Sequence, residues 1–307
     1  MKNKIFHDLI VILGPTATGK TKLAVKIANE INGEIISADS RQVYKGMDIG
    51  TGKDLHEYII NKKKIPYHLI DIMSPQRNYN VFHFQKDTKK IILELSQKGK
   101  IPILCGGTGL YLKAILMNFH LPAVEPDEKL RINLEDLSLK ELIKKLNSIS
   151  DDNTVKHLID TKRRVIRAIE IEMNKKSNKT SQHHSIEFKF NNPLVIGIEF
   201  PRKVIREKIT KRLHERLNEG MIEEVKTLIN NGISHSKLES FGLEYRYISL
   251  YLQEKIPKEE MIGKLNIAIH QFSKRQMTFF RNIEKNGIKI NWVNEGKYES
   301  IIKLIKS

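Results

Sequence analysis

Residues 8 to 28, DLIVILGPTATGKTKLAVKIA, constrain the fold more than any other stretch of the chain. Leu9, Ile10, Val11, Ile12 and Leu13 form a β-rich apolar run without polar alternation, the pattern of a strand buried on both faces of a parallel sheet. Gly14 opens a turn, and from there through Pro15, Thr16, Ala17, Thr18, Gly19 and Lys20 to Thr21 the spelling is G-x-x-x-x-G-K-T. Such a loop wraps backbone N–H groups around an anion at a helix N-terminus. Lys20 adds a point charge, and the Thr21 hydroxyl is placed to ligate Mg2+, the usual companion of phosphates held this way. Leu23, Ala24, Ile27 and Ala28 then recur at helical spacing and pack the helix on the sheet. The fold expected is α/β: a P-loop NTPase-like parallel sheet flanked by helices.

Further strands are expected at Glu34–Ala38, Tyr67–Ile72, Ile101–Leu104 and Leu194–Phe200, with a last edge strand at Ile288–Val293. Ligands of open α/β sheets bind beyond the carboxyl ends of the strands, so the polar cluster Asp39, Ser40, Arg41 and Gln42 that ends the second run is a candidate site. An Asx-turn or a helix N-cap at Asp39 explains the same residue type. The fourth run closes in CGGTGLY, where Gly106, Gly107 and Gly109 let a ligand approach the backbone and leave Thr108 as the one hydroxyl; a simple turn explains the glycines equally. Between these lies YKGMDIGTGK, Tyr44 to Lys53, a glycine-punctuated loop. Helices are expected at Val81–Gln97, from Tyr111 to Met117, around 129–148 and 152–174, and after Pro201. Pro122 and Pro126 mark the entry to a strandless, charge-rich segment, so residues 120–189 read as a helical insertion into a core formed by 1–119 and 190–307. Asn174 to Ser185 reads as a loop that carries the adjacent His183 and His184.

Subtracting 36 acidic from 53 basic residues leaves +17, which points to a polyanion partner, RNA or DNA first; a lysine-rich composition is the alternative. Cys105 is the only cysteine, so an intrachain disulfide or a cysteine zinc cluster is excluded. With no long apolar span, a cytoplasmic protein that makes no membrane contact is expected.

Three basic groups stand out. In TKRRVIRAIEI, residues 161–171, Val165, Ile166 and Ile169 face a core while Arg163 and Arg167 fall four apart on the other side. Lys208, Arg212 and Arg216 recur beside the apolar stripe Ile205, Ile209, Leu213 and Leu217, with Arg212 expected nearest the buried seam. In HQFSKRQMTFFRN, residues 270–282, Gln276 interrupts an apolar line and needs partners for its amide, while Lys274, Arg275 and Arg281 flank it among aromatics. Each group is also compatible with an ordinary solvated helix face.

The motifs GPTATGKT, ADSRQVYKGMDIGTGK, HLIDI, GGTGLYLKA, RRVIRAIE and KRQMTFFR, in this order and spacing, resemble those of the tRNA dimethylallyltransferase (tRNA isopentenyltransferase) family over most of residues 9–295. The resemblance implies that the loop holds the diphosphate of dimethylallyl diphosphate, with Mg2+, and that N6 of the adenosine just 3′ of the tRNA anticodon, position 37, receives the prenyl group. Carried over, Asp39 resembles the general base, and Thr108 and Arg212 match positions at the reaction channel and the diphosphate. The anticodon stem-loop is expected to meet Asp39, Ser40, Arg41, Gln42, Arg131, Arg163, Arg164, Val165, Ile166, Arg167, Lys274, Arg275, Gln276 and Arg281. A monomer of the bacterial form is expected, since the zinc-binding extension of eukaryotic enzymes is missing. SFGLEYRY, residues 240–247, departs from the family, as does Lys208 where arginine is usual. Two other functions fit a phosphate loop. A small-molecule or nucleotide kinase would place Asp71 at the metal, and a non-catalytic RNA-binding switch would need no base at Asp39.

Overall fold

The structure is a computed structural model and describes residues 6–119, 121–122, 124–150, 161–177 and 190–307. These fall into two compact units, one within 1–119 and 188–307, the other within 120–187. Strands of the first unit are β1 (Leu9–Leu13), β2 (Gly33–Ser37), β3 (Ile59–Ile60), β4 (Lys63–Lys64), β5 (Tyr67–His68), β6 (Ile101–Gly106), β7 (Pro193–Glu199) and β8 (Asn291–Asn294). Its helices are α1 (Lys20–Ile31), α2 (Val81–Gln97), α3 (Gly109–Leu116), α7 (Arg202–Asn218), α8 (Met221–Asn230), α9 (His235–Phe241), α10 (Leu243–Leu252), α11 (Lys258–Lys285) and α12 (Tyr298–Lys306). The second unit supplies α4 (Glu128–Glu135), α5 (Leu139–Ile149) and α6 (Lys162–Ser177).

Six strands form one parallel sheet in the order β5-β2-β6-β1-β7-β8. All five residues of β1 are fully buried, because the strand lies between β6 and β7 and both faces are covered. Its side chains alternate between two cores: Leu9, Val11 and Leu13 pack in the cluster that holds residues of α2, α3 and α7 to α11, while Ile10 and Ile12 pack with residues of α1 and α12. The phosphate loop therefore leaves the sheet beside the carboxyl ends of β2 and β6, where the polar clusters lie.

Several expected elements differ in extent. The Tyr67–Ile72 run pairs only at Tyr67 and His68, because Leu69 and Asp71 turn into the left-handed region at φ 62° and 55°. That turn delivers the Asp71 carboxylate to the fully buried ammonium of Lys53, which also holds Asp48 at 2.6 Å and the Tyr44 carbonyl at 2.7 Å. The helix expected at 129–148 is two helices, since Ser138 starts a new one in a reciprocal cap with Glu141. Residues 152–160 of the helix expected at 152–174 lie outside the described residues, as do His183 and His184; α6 runs from Lys162 to Ser177. The hairpin β3–β4 had no counterpart in the expected strands. In the second unit Leu134, Leu142, Leu146, Val165 and Ile169 form a separate small core.

Candidate active site

A cavity of about 370 Å3 opens beyond the carboxyl edge of the sheet, entirely within the first unit. Thr16, Lys20 and Thr21 of the phosphate loop line it, together with Asp39 to Gln42, the Gly50–Gly52 loop, Cys105 to Gly109, Arg212 and Arg216 of α7, Glu244, and Arg275, Gln276 and Phe279 of α11. The loop itself needs left-handed backbone at Ala17 and Gly19, φ 62° and 74°, before α1 begins at Lys20. The Lys20 ammonium folds back onto the Pro15 carbonyl at 2.7 Å and the Thr18 hydroxyl at 3.4 Å. Burial pulls its pKa down to about 8, and among the described residues no carboxylate stands in hydrogen-bond range of this desolvated cation. Burial also pushes the neighbouring Cys105 thiol up to about 12, which leaves it an inert wall residue.

Asp39 forms the Asx-turn that its position allows: Oδ1 accepts from the backbone N–H of Arg41 at 2.8 Å and of Gln42 at 3.4 Å. Oδ2 has no hydrogen-bond partner among the described residues, and the side chain lines the cavity. The turn and the site are thus one arrangement. Thr108 secures it from the far strand, its hydroxyl accepting the Ser40 backbone N–H at 3.0 Å.

The glycines at the end of β6 and just after it are explained by the protein's own packing. A Cβ at Gly106 would strike the Ala38 backbone, one at Gly107 the Gln276 amide and one at Gly109 the Phe279 ring. Gln276 finds the partners its buried amide requires, accepting from Thr16 N–H and donating to the Gly107 carbonyl, both at 2.9 Å. It ties the phosphate loop to the loop after β6 rather than presenting itself outward.

Other expected contacts separate in space. Gln42 is buried and braced between the Ser37 hydroxyl and the Gly52 carbonyl, and the Arg41 guanidinium donates to the Ser240 carbonyl. Helix α11 divides its cations: Arg275 lines the active cavity, whereas Lys274 and Arg281 line a second cleft of about 620 Å3 with Arg202 and Arg206. In the second unit the Val165 side chain is fully buried and so offers no surface contact, while Ile166 is half-buried beside it. Arg131 and Arg167 both bind Glu170, whose side chain is 1% exposed, and Arg167 also donates to the Val124 carbonyl. Arg163 and Arg164 are exposed.

On α7 the seam residue is Arg216, 9% exposed, and not Arg212. Their guanidinium groups share one carboxylate, Asp54, whose Oδ2 accepts from Arg212 Nη2 at 3.0 Å and Arg216 Nη2 at 3.4 Å. Asp54 escaped sequence reading, since nothing in its spacing connects it with α7. Glu224 escaped it too; its carboxylate accepts from the N–H groups of Asp48, Ile49 and Gly50 at 2.7, 2.6 and 3.1 Å and from the Tyr245 hydroxyl at 2.7 Å. It fixes the loop that contributes Gly50 and Thr51 to the cavity. Burial raises the pKa of Glu244 on the opposite wall.

The chain matches the family model described as IPP transferase over residues 42–283, and that described as isopentenyl transferase over 7–74. It is 48% identical to tRNA dimethylallyltransferase 2 of Phocaeicola vulgatus, over 97% of this chain and 98% of that one. A further relative, tRNA dimethylallyltransferase 2 of Bacteroides fragilis, is 49% identical over 94% of this chain and 93% of its own. Among solved structures, the tRNA isopentenylpyrophosphate transferase of Bacillus halodurans superposes with a TM-score of 0.67 at 32% identity, over 97% of this chain and 96% of that one. A eukaryotic dimethylallyltransferase acting on tRNA gives 0.75 at 26% identity, over 95% of this chain and 74% of its own.

Proposed function

This chain belongs to the tRNA dimethylallyltransferase family, a family of tRNA-modifying prenyltransferases, and from that premise we propose how its own residues carry the reaction. The dimethylallyl group of dimethylallyl diphosphate passes to N6 of adenosine 37, next to the anticodon, and diphosphate is released. One observation supports this most directly: a polyphosphate cradle and an aspartate with an unpartnered oxygen line the same cavity.

An exocyclic adenine amine is a weak nucleophile, so it gains from close approach to the allylic carbon and from a base that takes its proton. As the N6–C bond forms, the C–O bond breaks, its electron pair leaves with the diphosphate, and the amine proton passes to Asp39 Oδ2. The leaving diphosphate gathers negative charge, which the loop N–H groups, Lys20, Arg212 and Arg216 would stabilise. The hydroxyl of Thr21, a hard oxygen donor on the same wall, suits Mg2+, which binds through few protein ligands and substrate phosphates. Thr21 together with the diphosphate would hold it, and the ion would supply further charge for the leaving group. The target base must leave its stack to enter the cavity, and Phe272 and Phe279 on α11 offer it apolar walls.

Ser40 and Arg275 at the cavity and Arg163 on the second unit are the tRNA contacts this reading favours. Action as a monomer belongs to the same reading. A cytoplasmic location agrees with the single buried cysteine, and no described helix is long and apolar enough to cross a membrane. The kinase alternative loses its metal ligand, because Asp71 is engaged by Lys53 and lies off the cavity wall.

The test is incubation of the purified protein with unmodified tRNA, Mg2+ and dimethylallyl diphosphate, followed by mass analysis of the nucleosides. Prenylated adenosine and one diphosphate per transfer are expected. Phosphate released from ATP without tRNA, and no prenylated nucleoside, would overturn the reading.

A further inference from the structure

Two arginines side by side on a cavity wall repel each other, and something must hold them there. Arg216 is 9% exposed, and its pKa is lowered first by burial and then by the Arg212 charge beside it. Both guanidinium groups press on the main chain at Gly52, where any Cβ would collide with the two of them. Asp54, two residues on, meets both through the single oxygen Oδ2, yet does not itself line the cavity. It holds the pair from outside the lining, while both arginines line the cavity together with Lys20 and Thr16. Its backbone is left-handed, φ 42° and ψ 50°, a conformation that glycine, asparagine and aspartate adopt most readily. The turn accounts for a short polar residue, and the two arginines account for its being a carboxylate rather than an amide.

We propose that Asp54 is a positioning residue for the reaction: it sets Arg212 and Arg216 as a fixed pair of anion receptors, so that the departing diphosphate meets preorganised charge. Preorganised donors act without reorganising as charge develops. Asp54 acts through the arginines and touches no reacting atom. The proposal rests on the prenyl-transfer reading for its role in turnover, whereas the clamp itself concerns diphosphate binding alone.

Titration calorimetry of the full chain with inorganic diphosphate and Mg2+, beside steady-state prenylation of tRNA, tests it. Asp54→Ala is expected to weaken diphosphate about tenfold or more, to raise the donor KM by a similar factor and to lower kcat, with the tRNA KM within twofold. Asp54→Asn keeps an acceptor oxygen in place and is expected to recover part of the affinity; a role in folding alone would move the tRNA KM as well. If the alanine variant does not fold, the asparagine variant carries the test, with a loss of about threefold expected. Diphosphate binding in these variants as tight as in the wild type, or tighter, would overturn the proposal and mark Asp54 as a competitor for the arginines. If the wild type binds diphosphate in this Asp54-dependent manner yet prenylates no tRNA, the reaction assignment fails and the clamp stands.

Discussion

Asp39 divides its two oxygens: one is spent on the turn that shapes the site, the other is open to the cavity. Replacing it by asparagine preserves a turn acceptor and removes the base. A loss of kcat of about a thousandfold is expected, within the usual range for a general base, while diphosphate affinity stays within about threefold. Single-turnover prenylation and calorimetry read the two quantities separately, and retained turnover would remove Asp39 from its role. Lys20 gives a second prediction at this scale. Its folded pKa of about 8 lies below the ordinary 10.5, so the unfolded chain binds this proton more tightly between the two values and the unliganded fold gains stability as pH rises through that window. Diphosphate favours the ammonium, so binding near pH 8.5 should take a proton from solvent. Calorimetry in two buffers of different ionisation enthalpy measures the uptake, which should vanish in Lys20→Arg; a wild type without uptake would contradict the assigned contact.

Loops supply much of the cavity wall, and several are braced by side chains far along the chain, the phosphate loop by the Gln276 amide and the 48–50 segment by Glu224. Glu224 at the start of α8 caps three consecutive N–H groups of the 48–50 segment. Charge-assisted bonds of this kind contribute more than neutral ones, so Glu224→Ala should cost about 2 to 4 kcal/mol in denaturant unfolding. Because the same loop carries Gly50 and Thr51 into the cavity, kcat/KM for prenyl transfer should fall with it. An unchanged unfolding midpoint would show that the loop holds itself. These braces explain how far the sequence could be read. β1, the phosphate loop and α1 follow from local pattern alone, and the Gln276 amide announced its need for partners by interrupting an apolar line. The break between α4 and α5 lies inside a segment whose spacing predicts one helix, although Ser138 and Glu141 stand in capping-box spacing there. Asp54 and Glu224 were not legible, for their meaning lies in partners more than a hundred and fifty residues away. Val165 lies inside a motif segment, yet its helical spacing to Ile169 places its side chain in the core, as the structure has it.

Across the whole molecule, +17 of net charge is far more than the catalytic cavity uses, and the two units spend it differently. In the second unit Arg131 and Arg167 are committed to the buried Glu170. Burial pushes that carboxyl up, but the hydrogen bonds from the two arginines outweigh it and hold it below its ordinary value near 4.5. A depressed carboxylate contributes stability that is present above its unfolded pKa and lost as pH falls through the folded one. The unit should therefore become acid-labile below about pH 4.5, and Glu170→Gln should flatten that dependence when thermal unfolding is followed from pH 7 to 3. Arg163 is exposed and has no ion pair among the described residues, which leaves it available to phosphate. Arg163→Ala should weaken tRNA binding and reduce the slope of log K against log salt by about one, leaving the acid transition where it was, whereas Arg167→Ala should move that transition and the slope together. A salt slope unchanged by Arg163→Ala would exclude this helix face from the RNA interface.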